Sequence, residues 1–406
     1  MKLKNRLEVT VLVLTALALF VTTQAAYADS QDKLSPYQQI TTVNVPSGFV
    51  FPGGGFDIVW ADSSTNRVYI ADRGNAKVSP PVPPGVDVLS TKHPSFLFEI
   101  PLPNSGGTNG VLVFHNPGDD NNQGDDNNQG DNNGLGTLVV GGTDSNTYFV
   151  NLSRPFATPI AVSTGGKARA DELGYDPRDQ IILIANPDEA AVKPTAGVPF
   201  ITFISTATVT PTILGKIVYD GMTGDGPAAT GIEQPVWDGL TGKFYLTIPG
   251  TSTRPNGEID EIDPTKRTIT RSFATTCSPA GLALIPGQRL ITSCGDVVNI
   301  SDFSLVTTVT GIGPADEIWY NPGDERVYFG GIFGSPVVNG VANATAPFYS
   351  VIAKLPWTGH FTPAPAQFSH SIAADSVYNH SFVPVSNVGV LVFTDDHDFG
   401  NGQNGQ

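Results

Sequence analysis

The chain has 406 residues, with 38 Asp and Glu against 22 Lys and Arg, and a formal net charge of −16. That balance argues against nucleic acid or an anionic membrane surface as a partner, because phosphate contacts need clustered Lys and Arg. Charged residues make up 15%, too few for a helical bundle, and hydrophobic residues 40%, too many for a disordered chain; with 44 Gly and 33 Pro, the class that remains is a turn-rich β protein.

In chain order, residues 1–28 read as an export signal. Lys2, Lys4 and Arg6 form a basic start, a mostly apolar stretch runs from Val11 to Val21, and Ala26-Tyr27-Ala28 is a small-x-small cleavage site. Cleavage there leaves 378 residues with a formal charge of −18. No later apolar run reaches the roughly 18 residues needed to span a bilayer. The expectation is an exported bacterial protein, periplasmic or extracellular, with no integral membrane segment once the signal is gone. One domain is expected over residues 29–399, with a flexible tail over 400–406.

A single unit recurs along the mature chain: a small or acidic residue, an apolar strand, a turn of Asp/Asn-Pro type, and a second apolar strand. Asp57-Ile-Val-Trp60 leads to Arg67-Val-Tyr-Ile-Ala71, and Glu172-Leu-Gly-Tyr175 to Ile181-Ile-Leu-Ile-Ala185. Gln234-Pro-Val-Trp237 leads to Lys243-Phe-Tyr-Leu-Thr247, and Glu317-Ile-Trp-Tyr320 to Arg326-Val-Tyr-Phe-Gly330. Weaker copies start at Gly110, Gly281 and Ser371. Later strands in each unit, such as Phe96–Ile100 and Phe200–Ile204, are rich in β-branched and aromatic residues between Gly, Pro, Asn and Asp. A small sheet of this size cannot cover both its faces alone; packing such sheets radially around an axis does so. Seven units average 54 residues each in the mature chain, which predicts an all-β, seven-bladed β-propeller. The last unit has room for only three strands, so Gln38–Val45 is expected to supply the fourth and close the ring.

Tyr69-Ile-Ala-Asp-Arg-Gly-Asn75, Ser163-Thr-Gly-Gly166 with Arg169–Pro177, and Ala315-Asp-Glu-Ile-Trp-Tyr-Asn-Pro322 resemble the bacterial exported propellers built of YVTN-type repeats. The resemblance covers nearly the whole mature chain. It implies the propeller fold and a binding or scaffolding role more than any activity, since propellers host many unrelated chemistries.

Two features interrupt the repeats. Residues 116–134 repeat Gly-Asp-Asp-Asn-Asn-Gln inside one hairpin and read as a disordered, solvated loop insertion, lacking the spaced ligands and closing Glu of an EF-hand. Cys277 and Cys294 flank the hairpin that turns at Pro286-Gly287. Antiparallel pairing brings them nearly opposite one another, which predicts a disulfide in an oxidising compartment worth on the order of 3 kcal/mol.

In a propeller the first strand of each blade lines the axis, so the opening residues of the units converge at one mouth. Here these are Asp57, Asn109, Asp171, Glu172, Glu233, Asp316, Glu317 and His370, with Arg169 close by. Such crowded carboxyls raise one another's pKa unless cations or hydrogen bonds compensate. Three readings stand side by side: acidic residues that merely accept backbone N–H bonds, a ligand site for a cation, and catalysis. As a metal site, Glu172, Glu233 and Glu317 suit Ca²⁺, a hard ion that takes oxygen ligands.

On function, the first expectation is a monomeric binding module for a small ligand or an envelope protein, with no nucleic acid partner and no haem or nucleotide. The chain has no Gly-x-Ser-x-Gly elbow, His-Glu-x-x-His, or phosphate-binding glycine loop. The alternative is a metal-dependent lactone hydrolase. Glu233-Gln-Pro-Val-Trp237 is similar to the Glu-Gly-Pro-x-Trp motif of gluconolactonase propellers, which implies a calcium-binding Glu233. Gln234 replaces the motif's Gly, and the motif lies in the fourth unit instead of the first.

Overall fold

In the computed structural model the described residues are 37–50, 54–115, 135–191, 197–311, 315–331, 339–343, 351–355 and 369–394. The stretch expected to be an export signal (residues 1–28), the 116–134 tract and the 400–406 segment lie outside them. Among the described residues there are seven antiparallel sheets of four strands each. Six are built from consecutive strands. Their first strands are Gly54–Asp62, Thr108–Phe114, Leu173–Asp176, Pro235–Asp238, Leu282–Ile285 and Ala315–Asn321. The seventh takes Ala373–Ala374, Ser381–Val385 and Gly389–Thr394 from the end of the chain and Gln38–Val43 from its start, with Gln38 opposite Thr394 and Val43 opposite Val390.

In five of the seven sheets the turn after the first strand has a local cause. The residue that ends or directly follows the strand is Asp or Asn, and its side chain accepts backbone N–H bonds from the turn it begins. Asp176 Oδ1 takes those of Arg178 and Asp179 at 2.9 and 3.1 Å, and Asp375 Oδ2 those of Val377 and Tyr378. Asp62, Asp238 and Asn321 do the same. This Asx geometry imitates a backbone turn. The chain then passes through one left-handed residue before the second strand, at Asn66, Gln180, Gly242, Glu325 and Asn379.

Second and third strands are buried along almost their whole length, whereas the fourth strands alternate between exposed and half-buried positions. Each hydrophobic cluster is shared by two neighbouring sheets. Tyr69 and Val88 of the first sheet meet Leu138 and Val150 of the second, and Phe203 and Ile217 of the third meet Phe244 and Leu246 of the fourth. Val68 and Ile70 of the first sheet meet Phe382 and Val392 of the seventh. Contacts between first strands run in the same order, and Ala373–Ala374 touches Gly54–Asp62. The arrangement is propeller-like: sheets that cannot bury themselves bury one another. The fourth strands carry a register shift in most sheets, as at Val88/Leu89, Phe203/Ile204 and Glu261/Ile262. Such bulges twist an edge and discourage further strand pairing.

Cys277 and Cys294 are disulfide-bonded, with Cα atoms 6.2 Å apart. Among the described residues no helix is long and apolar enough to cross a membrane.

In two of the three units that lack a carboxylate in their opening pair, the reason for the glycine there is steric. A Cβ on Gly110 would overlap the backbone carbonyl of Asp171, and one on Gly281 that of Asp316. At these places the backbone of the next first strand lies directly against the glycine. Gly281→Ala is therefore expected to destabilise the fold by about 1–3 kcal/mol. Gly239→Ala, whose nearest atom is 3.9 Å away, is expected to stay within about 0.5 kcal/mol. Denaturant melts of the two variants check this; equal midpoints would contradict the close approach.

Candidate functional site

At the end of the axis where the first strands begin, a cavity of about 180 Å³ is lined by Asp57, Arg73, Arg169, Asp171, Glu172, Glu233, Asp316, Glu317 and His370, together with Ile58. Eight of the nine opening residues singled out in the sequence thus share one cavity. Asn109 stands beside it, its Oδ1 accepting from Arg73 NH2 at 3.0 Å and its Nδ2 donating to the Ala170 carbonyl at 3.4 Å.

Local irregularity aims these side chains. In the first, second and sixth sheets the register slips between Phe56 and Val59, Thr108 and Val111, and Ala315 and Ile318. Asp57, Asn109, Asp316 and Glu317 sit inside those bulges, which turn side chains out of the regular alternation. In the third and fourth sheets backbone bonds hold the residues just before the strand: Asp171 N–H donates to Ala185 O and Glu233 N–H to Thr247 O. Glu317 N–H donates to the His370 carbonyl, and Val59 N–H to Ser371 Oγ at 3.0 Å, tying the seventh sheet to its neighbours.

Two guanidiniums enter the carboxyl cluster. Arg73 pairs with Asp57. Arg169 reaches Asp57 at 3.4 Å, Asp171 at 3.0 Å and Asp188 at 2.7 Å. Burial works against the charge of Arg169, but Asp171, Asp57 and Asp188 together hold its pKa above the ordinary value. The loop that presents Arg169 is pinned by Glu189 Oε1, which accepts the N–H groups of Lys167 and Ala168 at 2.7 Å each. Arg73 was not among the residues expected at the mouth. It lies two residues before the end of the second strand of the first sheet, Arg67–Asn75, and a census of first-strand positions alone passes over it.

Burial shifts Glu172, Glu233, Glu317 and Asp171 towards the protonated form. Burial pushes Glu172 up to about 8, even though Glu317 hydrogen-bonds to it. Burial, and then the neighbouring Glu172, push Glu317 well above the carboxylate range. The direction is that of a shared proton, held on Glu317 and donated to Glu172. Glu233 is likewise well raised by loss of water and by Asp171 and Glu172, and Asp171 rises to about 7 through burial despite Arg169. Burial opposes charge on His370 as well, yet its hydrogen bond to Asp316 at 3.2 Å and the field of Asp57 raise its pKa. Its ring stacks on Phe56 with centroids 5.2 Å apart. Asp171 Oδ1 and Glu317 Oε2 are buried without a hydrogen-bond partner among the described residues, a costly state for polar atoms. Among the described residues no group of three or more His, Cys, Asp or Glu side chains is arranged to hold a metal ion.

No family model matches the chain. Among curated proteins, the minor capsid protein L2 of human papillomavirus 28 is 25% identical over 212 residues, which cover 48% of this chain and 45% of that protein. The chain therefore spans less than half the length of that relative, and no family is assigned by it. Among solved structures, a propeller-like chain in the crystal structure of the mitotic checkpoint complex matches with a TM-score of 0.60 at 11% identity, over 90% of this chain and 94% of that one. At that identity the likeness concerns the fold alone, and it agrees with the all-β, propeller-like arrangement of sheets.

The proton inventory gives a signed expectation. Glu172, Glu317 and Glu233 bind protons more tightly folded than unfolded, and so does His370. Their contribution is complete below their unfolded pKa values and is lost as pH rises through the folded ones. Asp260 in the fourth sheet, raised by burial to about 7, acts in the same direction. The melting temperature is expected to fall between pH 5 and pH 9, by on the order of several degrees. Glu317→Gln, which keeps the shape without the titrating group, is expected to flatten part of that slope. A melting temperature that climbs over this interval would contradict the assignment.

Proposed function

We propose that the protein is an exported, non-catalytic binding module: a closed seven-bladed propeller of the YVTN-repeat type whose axial cavity takes a cationic group from a small ligand or an envelope protein. Seven shared hydrophobic clusters and the pairing of Gln38–Val43 with Gly389–Thr394 support the closed ring. The disulfide supports an oxidising compartment.

One observation carries the ligand reading. Six carboxyl groups from four sheets face one cavity, and two of their buried oxygens lack a partner among the described residues. Protons now balance the charge that Arg73 and Arg169 leave over. An ammonium or guanidinium group is a better donor for those oxygens than an empty space, and it displaces protons as it enters. A divalent ion is the less fitting occupant. Glu172 and Glu317 are hydrogen-bonded to each other, and Asp57 and Asp171 are engaged by guanidiniums. The lactone-hydrolase alternative stands second because Gln234 replaces the motif's Gly and the motif lies in the fourth unit.

The test is calorimetric titration with n-butylammonium, methylguanidinium and CaCl₂ between pH 6 and pH 9, in buffers of differing ionisation heat. An organic cation is expected to bind with proton release and more tightly as pH rises, and Glu317→Gln is expected to weaken it about tenfold, or about 1.4 kcal/mol. Absence of binding by all three cations, or preferential binding of acetate by the arginines, would overturn the reading. Turnover of a lactone panel that disappears in Glu233→Ala would place the hydrolase first.

A further inference from the structure

The opposite end of the same axis has a different chemistry. Counting three residues along each first strand from its opening position leads to Trp60, Val113, Tyr175, Trp237, Leu284 and Tyr320, one from each of six sheets, and all six line a second cavity of about 410 Å³. A strand rises about 3.3 Å per residue, so this cavity lies roughly 10 Å beyond the carboxyls. Trp319 completes its wall, with its ring edge-on to Trp60 at 5.2 Å between centroids. No acidic or basic residue lines it.

We infer that this cavity is a binding site for a neutral, flat, largely apolar small molecule, one carrying an aromatic or fused-ring system. Its volume falls within the range of small-molecule sites, roughly 300–1,000 Å³, and its lining is aromatic and aliphatic as such sites are. The aromatic side chains of the lining are only half-buried, so a ring inserted among them removes apolar surface from water on both sides. A quaternary ammonium is a poorer occupant, although aromatic walls suit cations in general. Trp60 and Trp319 meet edge to face, and the ring of Trp237 already carries the Arg178 guanidinium at 5.4 Å, which repels a second cation. A sugar is poorer still, since the lining offers few directed polar groups. This site is independent of the carboxyl cavity and of any ligand there.

The experiment uses the mature protein and N-phenyl-1-naphthylamine, a neutral probe whose emission rises in apolar surroundings and which accepts energy from tryptophan. One equivalent is expected to bind saturably, with energy transfer from tryptophan. Trp319→Ala, which removes one wall, and Val236→Arg, which fills the cavity without removing a ring, are each expected to weaken binding at least tenfold. Circular dichroism confirms that both variants are folded. Glu317→Gln at the other end is expected to leave probe binding within twofold, which separates this site from the cationic one. Absence of saturable binding, binding indifferent to both cavity variants, or displacement by benzyltrimethylammonium at lower concentration than by naphthalene would overturn the inference.

Discussion

Much in this structure follows from how closely the first strands of neighbouring sheets approach one another. At Gly110 and Gly281 the neighbouring backbone leaves no room even for a methyl group. That crowding has an electrostatic consequence. Side chains that open successive sheets have little water, and a carboxylate without water must find a cation, a donor or a proton. This molecule uses all three: guanidiniums for Asp57 and Asp171, a hydrogen bond from His370 N–H for Asp316, and a proton between Glu172 and Glu317. A cluster that looks strongly acidic in the sequence is therefore much closer to neutral in the fold.

How much of this is legible in the sequence depends on how local each cause is. The recurring Asp or Asn before five of the turns is readable, because its bonds reach only two or three residues along the chain. The disulfide is readable because one hairpin brings Cys277 and Cys294 together. The gathering of Asp57, Glu172, Glu233 and Glu317 follows once the repeat is recognised, since equivalent positions in equivalent units must meet. Arg73 escapes that logic because it comes from a second strand, and Asn109 falls just outside because its amide is taken up by Arg73 and Ala170. The sharing of a proton across 145 residues leaves no trace in either local sequence. The aromatic residue at the fourth place of four units was plainly visible, but nothing short of the spatial arrangement distinguishes a cavity wall from ordinary core.

The axis is thus polar in the chemical sense. Carboxyls and guanidiniums stand at one mouth and indoles and phenols at the other, with Leu173, Leu282 and Ile318 in the wall between. Three units carry both characters within four residues, as Asp57-Ile-Val-Trp60, Glu172-Leu-Gly-Tyr175 and Glu317-Ile-Trp-Tyr320. A repeated unit multiplies such a motif at no cost in new topology.

The strand Gln38–Val43 has a bearing on how the molecule comes into being. Six sheets are made of consecutive strands and have all their partners at hand as the chain is synthesised, whereas Gln38 waits for Thr394. Until then the flanks of the first and sixth sheets lack the neighbour that covers Val68, Ile70 and Tyr328. Pairings between such distant segments form slowly, and uncovered apolar faces invite association between chains. The most vulnerable moment in the life of this protein is accordingly the interval just before its final strand is added.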